Sequence, residues 1–94
     1  MEENQYRVIR IFKALSDPIR YGIIFKLSKV ERLSVMDLSK LFEKPISTVS
    51  RHLRILKNLD IVNCLADGKY AYYYLKNKKI IEKLIELENI FKRK

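Results

Sequence analysis

The 94-residue sequence predicts a mostly α-helical fold with one small β-hairpin, and two patterns lead to this class. Apolar residues recur at helical spacing in five segments, and Asp67-Gly68 separates two β-prone runs, which is typical of a hairpin. Apolar residues make up 48% of the chain and charged residues 33%, a composition typical of a folded domain. The length predicts a single domain over residues 1–94, because two separate cores would not fit.

The five helices are predicted over residues 4–15, 18–28, 34–42, 46–59 and 77–92. The second helix should begin at Pro18, with Asp17 or Ser16 accepting hydrogen bonds from the free amides of its first turn. We interpret Gly22, inside that helix, as a close-packing position, since a glycine otherwise only destabilises a helix.

The third helix has the clearest start signal, because Ser34 and Asp37 match the S-x-x-D pattern of a capping box. Leu38 and Leu41 are expected to face the core, and a proline then forces a turn before the fourth helix. A short helix, a turn and a second helix are the parts of a helix-turn-helix. Residues 61–75 follow directly as a two-stranded hairpin, so the sequence predicts a winged helix-turn-helix with a two-stranded wing.

Within the predicted wing, strand alternation places Tyr73 and Leu75 towards the core and leaves Tyr70 near the tip. Cys64 falls on the first strand of the hairpin and is the single cysteine, which excludes an internal disulfide. We interpret Cys64 as a small, half-buried apolar residue and not as a redox switch.

The charge balance favours a polyanionic partner, because 20 lysines and arginines against 11 aspartates and glutamates give a net charge of +9. Residues 44–59 contain four basic side chains and no acidic one. Arginines can bind guanine or clamp phosphate, and short hydroxyl side chains let a helix end approach the bases. The plainer alternative to DNA binding is that residues 44–59 form an ordinary helix whose basic face is only solvated. We predict that DNA is bound by Lys44, Ser47, Thr48, Ser50, Arg51, Arg54, Lys57, Lys69 and Tyr70.

Three segments, in the same order and at the same spacing, resemble ArsR/SmtB-type winged-helix repressors. Residues 12–20, FKALSDPIR, resemble the ALSDPTR opening of that family. Residues 47–56, STVSRHLRIL, resemble its recognition helix STVSHHLKVL, and residues 67–75, DGKYAYYYL, resemble its wing EGRWVYYRL. The resemblance covers residues 12–75 and implies a homodimeric regulator, a repressor of transcription, that binds pseudo-palindromic double-stranded DNA.

The resemblance also implies that the first and last helices form the dimer interface. Both predicted helices carry an apolar stripe that suits this role, and the last one has the 4-3-4 spacing of a coiled-coil seam. The expected interface residues are Tyr6, Val8, Ile11, Phe12, Ile80, Ile81, Leu84, Ile85, Leu87 and Phe91.

One departure from the family concerns metal sensing. Metal-sensing members carry Cys-x-Cys where this chain has Ser34 and Met36, and neither side chain suits a Zn²⁺ or arsenite site. Residues 77–94 also hold no histidine and no aspartate, the usual ligands of a second family site. We therefore expect no metal and no cofactor. His52, the single histidine, is interpreted either as a packing residue or as a phosphate contact.

Two other function classes stay open for a winged helix: a protein-interaction module, and a non-specific nucleic-acid-binding architectural protein. An enzyme is not expected, since the sequence shows no nucleophile–base pair, catalytic carboxylate pair or phosphate-binding loop. The longest apolar run, residues 70–75, is too short to span a bilayer, so no membrane partner is expected. The N-terminus shows no signal peptide, so we expect a cytoplasmic location.

Overall fold

The computed structural model describes residues 1–93, which form five α-helices and one small antiparallel sheet. The elements in chain order are α1 (Glu3–Leu15), α2 (Pro18–Ser28), β1 (Leu33–Ser34), α3 (Val35–Phe42), α4 (Ile46–Asn58), β2 (Val62–Asp67), β3 (Tyr70–Leu75) and α5 (Lys79–Ile90). In this part of the chain, no helix is both long enough and apolar enough to cross a membrane.

Side-chain caps fix the starts of α2 and α3. The Asp17 carboxylate accepts hydrogen bonds from the amides of Ile19 at 2.8 Å and Arg20 at 3.1 Å, which makes Asp17 the cap of α2. At α3 the predicted capping box is present: the Ser34 hydroxyl accepts from the Asp37 amide at 3.0 Å, and the Asp37 carboxylate accepts from the Ser34 amide at 3.0 Å. These hydrogen bonds lower the pKa of Asp37.

The turn between α3 and α4 begins at Glu43, whose φ of 53° lies in the left-handed region that ends many helices. The Ser39 hydroxyl then donates to the carbonyl of Lys44 and closes the turn. The expectation that Leu41 faces the core is wrong, because its side chain is 49% exposed. Leu38 is the buried residue of α3, and Val35 and Phe42 pack against the core beside it, so the inward stripe runs through positions 35, 38 and 42 and leaves Leu41 outside it.

The prediction of a two-stranded wing is wrong, because the sheet has three strands in the order β1-β3-β2. Leu33 of β1 pairs with Tyr73 and Ser34 pairs with Tyr72, both in antiparallel register. The long pairing between β2 and β3 runs from Val62 opposite Leu75 to the hairpin end. The wing is therefore joined to the start of α3 by backbone hydrogen bonds.

The hairpin turn lies one residue later than predicted. Asp67 pairs with Tyr70, so the two loop residues are Gly68 and Lys69 instead of the expected Asp67-Gly68. Gly68 has a φ of +63°, and glycine at the first loop position is the arrangement of a type II′ turn. This turn places the Lys69 side chain at the tip of the wing.

The core lies where α2, α3 and α4 meet the inner face of the sheet. Its fully buried side chains come from all three helices and from β2: Ile23, Ile24, Leu27, Leu38, Val49, Leu53, Leu56 and Val62. As predicted from strand alternation, Leu75 is buried and Tyr73 packs against this core. Gly22 is a close-packing position as predicted, because a Cβ atom there would lie 2.7 Å from Cε1 of Phe42.

Candidate nucleic-acid interface

Helix α4 divides into a buried face and an exposed basic face. Its buried face is formed by Val49, His52, Leu53 and Leu56. Of the polar residues predicted to bind DNA, most are exposed on or just before this helix, namely Lys44, Ser47, Arg51, Arg54 and Lys57. Thr48 and Ser50 are half-buried beside them. We define the five exposed residues as the α4 basic face.

The charges of the α4 basic face are not neutralised by neighbours. Within residues 1–93, ion pairs join other basic side chains to carboxylates, among them Arg7 to Asp60 and Arg32 to Asp67. No carboxylate lies within 4.0 Å of a basic nitrogen of the α4 basic face in the same part of the chain. Its positive potential is therefore available to an anionic ligand.

The first turn of α4 adds backbone donors to this surface. Its cap is Pro45, which makes no side-chain hydrogen bond, and the first intrahelical bond runs from the Val49 amide to the Pro45 carbonyl at 3.1 Å. The amides that precede Val49 have no capping side chain. They suit a phosphate oxygen, which the positive end of the helix also attracts.

The wing presents a second basic and aromatic surface. Lys69 is exposed in the turn, and Tyr70 is 50% exposed next to it. Arg32 was not predicted to belong to this surface, but its guanidinium lies 4.1 Å above the ring centroid of Tyr72 and donates to the Asp67 carboxylate at 2.8 Å. Arg32 directly precedes β1, which pairs with the wing. That position would have placed Arg32 beside the wing, but β1 was not predicted from the sequence.

Cys64 and His52 are both turned away from the exposed basic surfaces. Cys64 is half-buried on β2, opposite Tyr73, as its interpretation as a small apolar residue predicts. His52 is 5% exposed on the inner side of α4. Of the two interpretations left open for this histidine, the packing role is the one that the structure supports.

The terminal helices carry a large apolar surface. A groove of about 860 Å³ lies between α1 and α5, lined by Val8, Ile11 and Phe12 on one side and by Ile80, Leu84 and Leu87 on the other. Four other predicted interface residues lie outside the groove lining: Tyr6, Ile81, Ile85 and Phe91. Leu84 is 5% exposed and belongs to the core of the single chain, so it forms the floor of the groove.

The residues at the family's metal positions do not fit a metal. The Ser34 hydroxyl is occupied by the capping box, and the Met36 side chain is 48% exposed next to it. On α5, the carboxylate of Glu88 accepts a hydrogen bond from the Tyr21 hydroxyl at 2.6 Å, and Glu86 pairs with Lys83. No group of three or more His, Cys, Asp or Glu side chains could hold a metal ion among the residues that the structure describes.

Comparisons with known proteins agree with this architecture. The sequence profile of bacterial regulatory proteins of the arsR family matches residues 17–64. A cadmium resistance transcriptional regulatory protein CadC homolog from Staphylococcus aureus is 40% identical over 85 residues, which cover 87% of this chain and 70% of that protein.

Solved structures show the same fold. HlyU from Vibrio cholerae superposes with a TM-score of 0.82 at 26% identity, covering 99% of this chain and all of HlyU. The homodimeric winged helix-turn-helix DNA-binding domain of a possible ArsR-family regulator from Mycobacterium bovis has a TM-score of 0.81 at 21% identity, covering 92% and 79% of the two chains. With its capped helix-turn-helix, exposed basic helix and wing, the chain belongs to the arsR family of bacterial regulatory proteins and is a winged helix-turn-helix transcriptional regulator.

Proposed function

We propose that two copies of this chain form a homodimer that binds a pseudo-palindromic site in double-stranded DNA and represses transcription. The observation that carries the proposal is the α4 basic face, whose cations have no carboxylate partner in the described part of the chain. DNA phosphates supply the missing counter-charge, and the counterions that they release drive binding.

In this arrangement α4 enters the major groove, and the wing lies on the backbone or in the minor groove. Arg51 and Arg54 reach guanine or phosphate, while Ser47, Thr48 and Ser50 allow close approach of the helix. Lys44 and Lys57 contact phosphates at the two ends of α4, and Lys69 with Tyr70 contacts them from the wing tip.

The dimer interface is proposed to lie on α1 and α5. Phe12 is 54% exposed and Leu87 is 41% exposed, and both line the groove between these helices. A second copy would remove this apolar surface from water. A two-fold axis there would place the two recognition helices in successive major grooves, about 34 Å apart.

Repression follows from occupancy, because a dimer bound at a promoter excludes RNA polymerase. A protein that binds cellular DNA in this way acts in the cytoplasm, where we place this chain. We assign it no catalytic role, no cofactor and no membrane partner. We also propose that it does not sense metals through Ser34 and Met36, since neither residue offers a thiolate.

The test is a fluorescence-anisotropy titration against a randomised duplex pool at two salt concentrations, followed by sequencing of the bound fraction. Enrichment of a palindrome with half-sites about one helical turn apart supports the proposal. Salt-sensitive binding without enrichment indicates a non-specific architectural protein. No binding at low salt contradicts the proposal and favours a protein-interaction module.

Two variants separate base reading from phosphate contact. Arg51→Ala should weaken binding to the selected site by about 1–3 kcal/mol and relax the preference at one base position. Lys69→Ala should weaken binding to all sequences alike. It should also reduce the salt slope, which is the slope of the logarithm of the binding constant against the logarithm of the salt concentration, by about one. Lys26→Ala, which removes an exposed charge from α2, is the control for both. Unchanged preference in Arg51→Ala would remove this residue from base recognition.

A further inference from the structure

One guanidinium joins three helices behind the recognition surface. Arg20 lies in the first turn of α2, and its Nε donates to the carbonyl oxygen of Ala14, near the end of α1, at 2.7 Å. One of its terminal nitrogens lies 3.0 Å from Nδ1 of His52, on α4. Because arginine can only donate, Nδ1 must be the acceptor, which assigns the ring proton of neutral His52 to Nε2.

The Arg20 side chain, which bridges Ala14 and His52, is fixed in position by the cap of α2. The Arg20 backbone amide donates to the Asp17 carboxylate at 3.1 Å, so the residue that caps α2 also fixes the base of the arginine. His52 is 5% exposed and follows Arg51, the residue proposed to read a base. The bridge therefore connects α1, a helix of the proposed dimer interface, to the middle of the recognition helix.

The charges around His52 come from three places. Asp17 at the start of α2 favours a charged imidazole, whereas Arg20 on the same helix, Arg51 on α4 and Lys44 before α4 oppose it. Burial is the largest influence, and together with these cations it lowers the pKa of His52 below its usual value of 6.5. Neutral His52, which can accept from Arg20, is thus the form present at neutral pH.

We infer that Arg20 is a positioning residue for DNA recognition, which acts by holding His52 and thereby α4 against the end of α1, and that a proton on His52 releases this hold. A protonated Nδ1 is a donor and can no longer accept from the guanidinium, and two positive groups would then face each other at 3.0 Å. The inference rests on the proposed function, since DNA binding is its readout.

The sign of the pH effect follows directly. If the binding-competent position of α4 requires neutral His52, affinity for DNA falls as pH falls through the pKa of this histidine, below 6.5. The general electrostatic trend has the opposite sign, because added protons make a protein more attractive to phosphate. The carboxyl of Asp17 stays ionised over this range. Burial raises its pKa, but the amide hydrogen bonds from Arg20 and Ile19, together with the charges of His52 and Arg20, bring the pKa below 3.8.

The experiment measures the dissociation constant for the selected duplex between pH 7.5 and 4.5 at constant ionic strength, because the pKa of His52 lies below 6.5. The wild-type dissociation constant should rise about tenfold across this range, as expected for loss of one charge-assisted hydrogen bond. His52→Asn should give a flat profile, because the Asn side-chain oxygen can replace Nδ1 as acceptor but does not titrate. Circular dichroism at each pH checks that every protein stays folded.

Arg20→Met is compared with Lys26→Met, which removes one positive charge from an exposed position of the same helix. At pH 7.5 Arg20→Met should weaken binding about tenfold with an unchanged salt slope, and Lys26→Met should bind like the wild type. A salt slope reduced by about one in Arg20→Met would overturn the inference and make Arg20 a direct phosphate contact.

The remaining outcomes separate the inference from the function on which it rests. A flat wild-type pH profile, or a His52→Asn profile that falls as steeply as that of the wild type, overturns the inference and leaves the proposed function intact. Failure of the wild type to bind any duplex at pH 7.5 overturns the proposed function itself.

Discussion

The middle of the chain and its two terminal helices bury their apolar side chains to very different extents. Leu38, Leu53 and Leu56, on α3 and α4, are 0% exposed. On the terminal helices, Phe12 is 54% exposed and Ile90 is 72% exposed. The helix-turn-helix thus completes its core within one chain, whereas the terminal helices leave apolar surface exposed, which the proposed dimer would cover. Stability and dimerisation should therefore respond to different residues.

The largest effect is expected from a cavity in the middle. Leu53→Ala removes a fully buried side chain and should lower the free energy of unfolding by about 2–5 kcal/mol in a urea titration. Phe12→Ala, on the exposed face of α1, should instead act through the dimer, so its effect on the midpoint should change with protein concentration. A concentration-independent loss of similar size in both variants would erase the distinction between the two regions.

The next effect sharpens the assignment of the apolar surface. Leu87→Glu places a carboxylate in the α1–α5 groove and should raise the dimer dissociation constant at least about 100-fold, because the charge loses its hydration on association. Leu41→Glu is the matched control, since Leu41 is 49% exposed on α3 and Leu87 is 41% exposed on α5. Sedimentation equilibrium measures both. Dimers that survive Leu87→Glu but dissociate with Leu41→Glu would move the interface to α3.

The smallest effect tests the local signals within the middle region. Ser34→Ala removes the hydroxyl that caps α3 and should lower the free energy of unfolding by about 1 kcal/mol. Ser47→Ala, at an exposed position of α4, should change it by less than about 0.5 kcal/mol. Thermal unfolding distinguishes the two, and equal losses would mean that the capping box contributes nothing specific.

The sequence was most informative where a local signal decides the structure. Asp17 and Ser34 were identified as caps because the hydrogen bonds that they accept lie within three residues of chain. The basic surface of α4 was equally visible, because an amphipathic helix places its charges by period alone. The exposed positions of Arg51 and Arg54 follow from that period.

Long-range contacts account for what the sequence did not predict. Strand β1 has two residues, too few to show a period, and it exists only because β3 lies beside it. The exposure of Leu41 is decided by the packing of α3 against the rest of the core. The contacts of Arg20 with His52 and of Arg32 with Asp67 join residues more than 30 positions apart. No spacing rule connects residues so far apart.

The pairing of β1 with β3 has a consequence for how the protein folds during synthesis. It joins a residue that precedes α3 to a residue near the end of the wing, so it encloses the whole helix-turn-helix within one closed loop of chain. While β3 is still inside the exit tunnel of the ribosome, this loop is open, and β1, which directly precedes α3, has no strand to pair with. The pairing of β1 with β3 therefore forms only after the wing has emerged, and the entropy of closing that loop slows this step.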